Sequence, residues 1–231
     1  MDAAFPAGLI NLKTPAGQLL HNLISLLPRE KHFNITVFDS APLQITVDSA
    51  LTSADVDLFS DDEELDEIVE RNNLGTGQAE FYIQVSSELN FRPTPRWRER
   101  TQSIEVENCT LRFPHPIDIL IAKLNRLDEK DLLAFRTIIQ NTSHPTEAEL
   151  IHELQMAVDL FRPSFDEEQG QDMANNCRRL WPLIFGREID PRAEIIAPAL
   201  QKRKEGYGEP TRDYKQELRE AALSYGVAKA G

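Results

Sequence analysis

Apolar residues recur at helical spacing at Leu19, Leu20, Leu23, Ile24 and Leu27, and Pro28 closes the run, so a helix is predicted over 15–28. Residues 1–14 carry no such period and read as irregular. Ile35 to Phe38 is apolar and compact enough for a first strand, and Leu43 to Val47 suits a second strand or a helix-like turn. Ser53 to Phe59 alternates strictly. Val56 and Leu58 fall on one face, and Asp55 and Asp57 on the other. A helix over 61–72 turns Leu65, Ile68 and Val69 inward, with Asp61 or Asp62 as its cap. After a turn at 72–77 comes a strand at 80–85, then a hairpin of 104–106 and 110–113 around Glu107-Asn108. Pro116 opens a long helix over 117–139, whose packed face is Leu120, Ile121, Leu124, Leu127 and Leu133. Further helices are predicted at about 146–161 and 168–185.

This succession of strands and helices predicts an α+β protein: a mixed sheet with flanking helices over residues 1–140, a helical C-terminal part over 141–186, and a tail over 187–231. The tail has few large apolar residues. It is expected to wrap the surface or move, with a short helix at 213–224. With 41% apolar residues in 231, the chain can bury a real core. No internal repeat is visible.

Composition narrows the function. A net charge of −13 argues against adhesion to DNA or anionic membranes by the molecule as a whole. No apolar run approaches the roughly 18 residues of a membrane span, and no leader-like h-region is seen. Two cysteines, Cys109 and Cys177, are too few for a disulfide framework, which suits a cytoplasmic protein with reduced thiols. There is no CxxC or HExxH for zinc.

The chemistry-bearing stretch is Asp55-Val56-Asp57. On a strand the two carboxylates project together with Cα atoms roughly 6–7 Å apart, and a divalent cation relieves their repulsion. Mg²⁺ takes one or two carboxylates and completes its shell with water and phosphate oxygens. That points to phosphoryl or nucleotidyl transfer. A solvent-exposed pair of strand acids is the plainer alternative.

Three segments in order carry a resemblance: Ile35-Thr36-Val37-Phe38-Asp39-Ser40-Ala41, then Asp55-Val56-Asp57, then the run from His115 to Asp131. They resemble the nucleotidyltransferase (polymerase-β-like) fold, with its h-G-[GS] turn followed by D-h-[DE]-h. The third segment is similar to the P-x-D-L-L-x-x-K-L-x-R helix and following K-D of bacterial relatives of the AbiEii-type toxins. The resemblance covers residues 16 to 140. It implies Mg²⁺, one ion or two, on Asp55 and Asp57, an NTP as substrate, Ser40 at the phosphates, and Lys123 pointing into the site. It departs from the pattern where Asp39 replaces a glycine. The third carboxylate is open: Glu88 and Glu80 are candidates, and Gln84 would weaken the site if it holds that position.

Two basic groups could serve such a site. Arg92, Arg96, Arg98 and Arg100 surround Trp97 in a proline-braced segment, so Arg96 and Arg98 could fork phosphates while the indole stacks. The alternative is a buried Trp97 inside an ion-pair lattice. Lys123, Arg126 and Lys130 follow at spacings of three and four and share a helix face, where Lys123 and Arg126 could balance a triphosphate or pair with Asp128 and Asp131. His115, between prolines, reads as a satisfied turn residue.

The reading is therefore Mg²⁺-dependent transfer of a nucleotidyl group from an NTP to a hydroxyl of RNA, protein or a small molecule, with a toxin-like role implied by the resemblance. Asp55, Asp57 and Glu88 are its expected catalytic carboxylates. A catalytically inactive binding or interaction module on the same fold is the rival, supported by Asp39 and by the uncertain third acid.

Overall fold

The computed structural model describes residues 9–51, 55–77, 81–162 and 172–206. Five strands form one mixed sheet: β1 (Phe33–Phe38), β2 (Asp55–Phe59), β3 (Tyr82–Val85), β4 (Gln102–Val106) and β5 (Cys109–Phe113), in the order β3-β2-β1-β5-β4. β1 runs antiparallel to β2 and parallel to β5, and β2 runs parallel to β3. The protein is thus α+β with a mixed sheet. Ser53 and Glu80, at the starts of two predicted strands, lie outside the described residues.

The two-residue period of the strands sorts the sheet into two faces. Phe33, Ile35 and Val37 join Val56, Leu58, Ile83 and Leu111 in a core covered by α1 (Pro15–Leu26) and α3 (Glu64–Arg71). On α3 the predicted Leu65, Ile68 and Val69 are the buried residues. Thr14 caps α1: its side chain accepts from the Gly17 amide at 3.1 Å. The opposite face of the sheet carries Phe38, Asp57 and Gln84 in one cross-strand row. It is covered by α5 (Pro116–Leu124), whose residues are buried nearly all round, with α6 (Glu129–Thr142), α7 (Glu147–Met156) and α8 (Met173–Ile184) packed beyond.

Several boundaries differ from the sequence pattern for local reasons. Leu43 to Val47 takes the helical option, as α2 (Ala41–Thr46) with Pro42 in its first turn. The predicted 117–139 helix is two helices. Leu127 adopts a left-handed φ of 52°, and Asp131 accepts from the Asp128 amide at 3.0 Å to start α6 afresh. Asn176 on α8 then donates to the carbonyls of Leu124 and Asn125 at 3.0 and 3.1 Å, satisfying the end of α5. The break rotates α6, so Leu133 is 60% exposed rather than packed. The helix expected over 146–161 ends at Met156 and continues as a 3-10 turn, Val158–Phe161.

The start of the expected tail is docked. Ile189 and Ile195 belong to the core on the α5 side, and Ala199 on α9 (Ala197–Gly206) is buried as well. Arg187 bridges Glu147 at 2.6 Å and Glu194 at 2.7 Å. Gln155 on α7 donates to the Glu194 carbonyl at 2.9 Å. The predicted 213–224 helix lies outside the described residues. Among the described residues no helix is long and apolar enough to cross a membrane.

Candidate active site

Asp57 sits mid-strand on β2, between Phe38 of β1 and Gln84 of β3. It is only 9% exposed, and its carboxylate makes no hydrogen bond among the described residues. It borders a cavity of about 240 Å³ together with Gln84, Asn90, Lys123, Asn125 and Arg126. Burial, then the charges of Asp39 and Asp55, push its pKa up to about 7; Lys123 and Arg126 oppose them. The fold therefore holds a largely buried carboxylate in a place where its charge is unwelcome, open only to the cavity.

Asp39 follows β1 at φ 57°, the left-handed region that usually selects glycine and that Asp tolerates better than most residues. Its side chain turns to Lys123. Burial works to raise its pKa, but Lys123, with Arg126 and Lys130, outweighs that and holds it below the ordinary carboxylate range. The repulsion an acid would offer a triphosphate here is thus largely cancelled by the lysine.

Lys123 is 3% exposed, lies in the last turn of α5, and is enclosed by partners: it bonds Asp39, donates to Ser40 Oγ at 2.8 Å and donates to Asp131 at 3.0 Å. Arg126 reaches Asp131 at 3.1 Å, Asp128 at 3.0 Å and Asp39 at 3.5 Å. Burial favours the neutral form of Asp131, yet Arg126 and Lys123 keep it well ionised. The expected site residues Ser40, Asp57, Lys123 and Arg126 thus come together. Asp39, the acid in the glycine position of the turn, and Asp131, the ion-pair partner the helix spacing offered, complete the cluster. The signal for Asp131 was the K-D pair after the lysine helix. For Asp39 it was an acid standing at a glycine position.

Asp55 shares the strand face of Asp57 but lines a second cavity, of about 470 Å³, with Ser40, Leu43, Tyr82 and Lys130. Glu88, Arg96 and Arg98 are placed elsewhere. Glu88 and Arg98 pair with each other beside Phe59 and Trp97, two residues along β2 from Asp57. Arg96 pairs with Glu99 at 2.6 Å in solvent. Trp97 is buried edge-on to Phe91 at 5.3 Å and Phe59 at 6.5 Å, with Arg98 stacked 4.6 Å above its ring. The basic loop is therefore a lattice around a buried indole. His115 is a satisfied turn residue: its Nδ1 accepts from the Ile117 amide at 3.2 Å.

Gln84 is the β3 residue that pairs with Asp57. Among the described residues no three acidic, histidine or cysteine side chains converge as a metal cage. Asp57, which borders the cavity and makes no hydrogen bond among the described residues, with Asp55 on the same strand face, still fits the one or two carboxylates that Mg²⁺ takes.

The family model described as "Nucleotidyltransferase of unknown function (DUF6036)" matches residues 17–178. The chain belongs to this family. The matched span runs from α1 into α8 and contains Ser40, Asp55, Asp57, Lys123 and Asp131. No curated protein and no solved structure matches the chain.

Proposed function

We propose that this protein is a Mg²⁺-dependent nucleotidyltransferase of the polymerase-β-like fold, moving a nucleotidyl group from an NTP to an acceptor hydroxyl at the Asp57 cavity. The observation that carries the proposal is Asp57 itself: nearly buried, unbonded among the described residues, and raised to about 7 by burial and two neighbouring carboxylates. A fold gains nothing from such a group alone, and perturbed carboxylates of this kind mark functional clefts. Asp55 and Asp57 would hold Mg²⁺, which when bound neutralises phosphate charge and makes the acceptor hydroxyl easier to deprotonate. In the transfer, the acceptor oxygen bonds the α-phosphorus while the bond from that phosphorus to the bridging oxygen breaks. Pyrophosphate leaves with the electron pair, and the hydroxyl proton passes through a β2 carboxylate to water. Lys123 holds Ser40 and Asp39 in place, and the half-exposed Arg126 supplies positive charge at the rim. The acceptor is RNA, a protein or a small molecule, and a toxin-like role in a bacterial cytoplasm belongs to the same reading.

Gln84, an amide rather than an acid beside Asp57, and the full ion pairing of Lys123 favour a second reading, a non-catalytic module that binds nucleotide on this fold. Incubation with α-labelled NTPs, Mg²⁺, and total cellular RNA and protein separates the two. Label transferred by the wild type and lost in Asp57→Asn supports transfer. NTP binding without label in any acceptor supports the module.

A further inference from the structure

Two cavities lie beside the β2 carboxylates, one bordered by Asp57 and the other by Asp55, and they differ in chemistry. The smaller is polar, bordered by the amides of Gln84, Asn90 and Asn125. The larger, about 470 Å³, has walls from Leu43, Leu51, Leu133 and the Tyr82 ring, with the Thr137 hydroxyl among them and Lys130 at its edge. We infer that the larger cavity receives the nucleoside of the NTP donor, with Tyr82 and Leu133 against the base and Lys130 on the phosphates. This rests on the nucleotidyl-transfer reading and adds to it a place for the donor.

Three observations converge on that assignment. The first is size and polarity. Ligand cavities typically span about 300–1,000 Å³ with largely apolar walls and a few polar groups; the larger cavity lies in that range and has the more apolar wall, with Asp48 and Asp55 among its polar groups, while the smaller, at about 240 Å³, falls below it. The second is charge. Lys123 and Arg126 are already shared among Asp39, Asp128 and Asp131, so their charge is largely spent within the protein. Lys130 makes no ion pair among the described residues, yet is near enough to lower the pKa of Asp39. Among the described residues that line the larger cavity, it is the cation free to meet a phosphate, with Arg126 at the rim of the smaller one. The third is continuity. Ser40 and Asp55 line this same cavity, so a nucleoside seated against Tyr82 has its α-phosphate beside the β2 carboxylates. The polar cavity under Asp57 is then left for the acceptor, and its amides suit a molecule rich in hydroxyls.

Calorimetric titration tests this without turnover. The wild type is titrated with each Mg²⁺–NTP and with Mg²⁺–tripolyphosphate, which has the phosphates but no nucleoside. Leu133→Trp fills the cavity from a largely exposed position that tolerates a larger side chain. The wild type should bind at least one NTP about tenfold or more tighter than tripolyphosphate. Leu133→Trp and Tyr82→Ala should erase that preference and leave tripolyphosphate binding as it was. Lys130→Gln should weaken both ligands together. Unchanged thermal midpoints confirm that the variants are folded. If the wild type binds tripolyphosphate as tightly as every NTP, or if Leu133→Trp leaves NTP affinity intact, the nucleoside lies elsewhere while the transfer reading stands. If neither ligand binds at all, the transfer reading falls and this inference with it.

Discussion

Lys123 and Asp131 meet at 3.0 Å across the break between α5 and α6, with 3% and 0% of their side chains exposed. The break is what allows it. One continuous helix would carry the two residues, eight apart, more than two turns away from each other, at 1.5 Å of rise per residue. Leu127 reverses the chain, Asp131 starts the next helix, and the buried lysine gains a buried partner while still reaching Ser40 and Asp39.

Removing that lysine should therefore cost stability as well as any activity. Lys123→Ala leaves Asp131 with Arg126, and Asp39 with Arg126 and the more distant Lys130, as their cations. Loss of one partner from a buried pair typically costs about 3 kcal/mol or more. Denaturant titration should show a lower midpoint with an unchanged slope. A variant as stable as the wild type would show that these remaining cations neutralise the cluster.

Truncation after Arg187 should destabilise the protein by several kcal/mol. The cut removes Ile189 and Ile195, both in the core, each contributing roughly 2 kcal/mol through burial. It also removes Glu194, which Arg187 and Gln155 both hold. Thermal unfolding of the truncated chain gives the answer. An unshifted midpoint would mean that these residues ride on the surface.

The sequence period made the sheet-facing elements legible because burial on one face leaves a signature in the order of residues. Val56 and Leu58, Leu65 and Ile68, and the hairpin at Glu107 all fall where alternation and helical spacing put them. The α5–α6 break was hidden because Leu127 is apolar and in phase with its neighbours, and a left-handed leucine carries no composition signal. Ile189 and Ile195 were hidden for the opposite reason: two isoleucines among polar residues look sparse, although both are buried. In the site, Asp57 with Lys123 was legible from motif order. The pairing of Lys123 with Asp131 was one of two roles its helix spacing offered, and the structure takes it; the pairing of Glu88 with Arg98 depends on tertiary geometry that spacing does not encode.

The arginine loop should prove structural. Trp97→Ala empties a buried aromatic site against Phe91 and Phe59 and should cost about 3–5 kcal/mol. Arg98→Ala, whose side chain is largely exposed, should change stability by about 1 kcal/mol or less. Neither Arg96→Ala nor Arg98→Ala should alter NTP binding in calorimetry. A marked loss of NTP affinity in either would return the loop to the active site.

Asp57 should make stability fall as pH rises. Its pKa is about 7 in the folded protein, against about 3.9 in an unfolded chain. Between those values the native state keeps a proton that the unfolded chain has released. Its contribution is therefore complete below about pH 4 and is lost as pH rises through about 7, a span of up to about 4 kcal/mol. Asp39 and Asp131 act in the opposite sense. Their lowered pKa values contribute stability above the ordinary carboxylate range, which is lost on further acidification. Asp57→Asn keeps the shape and removes the titration, so it should flatten the decline toward neutral pH and be more stable than the wild type at pH 8. If Asp55 and Asp57 take Mg²⁺, millimolar Mg²⁺ should raise the wild-type midpoint at pH 8, since a ligand bound only to the native state stabilises it by mass action. The variant should not respond. Thermal unfolding from pH 4 to 9, with and without Mg²⁺, reads both effects. A variant that unfolds would show that the fold requires the Asp57 charge, and one that keeps the wild-type slope would show that another group titrates.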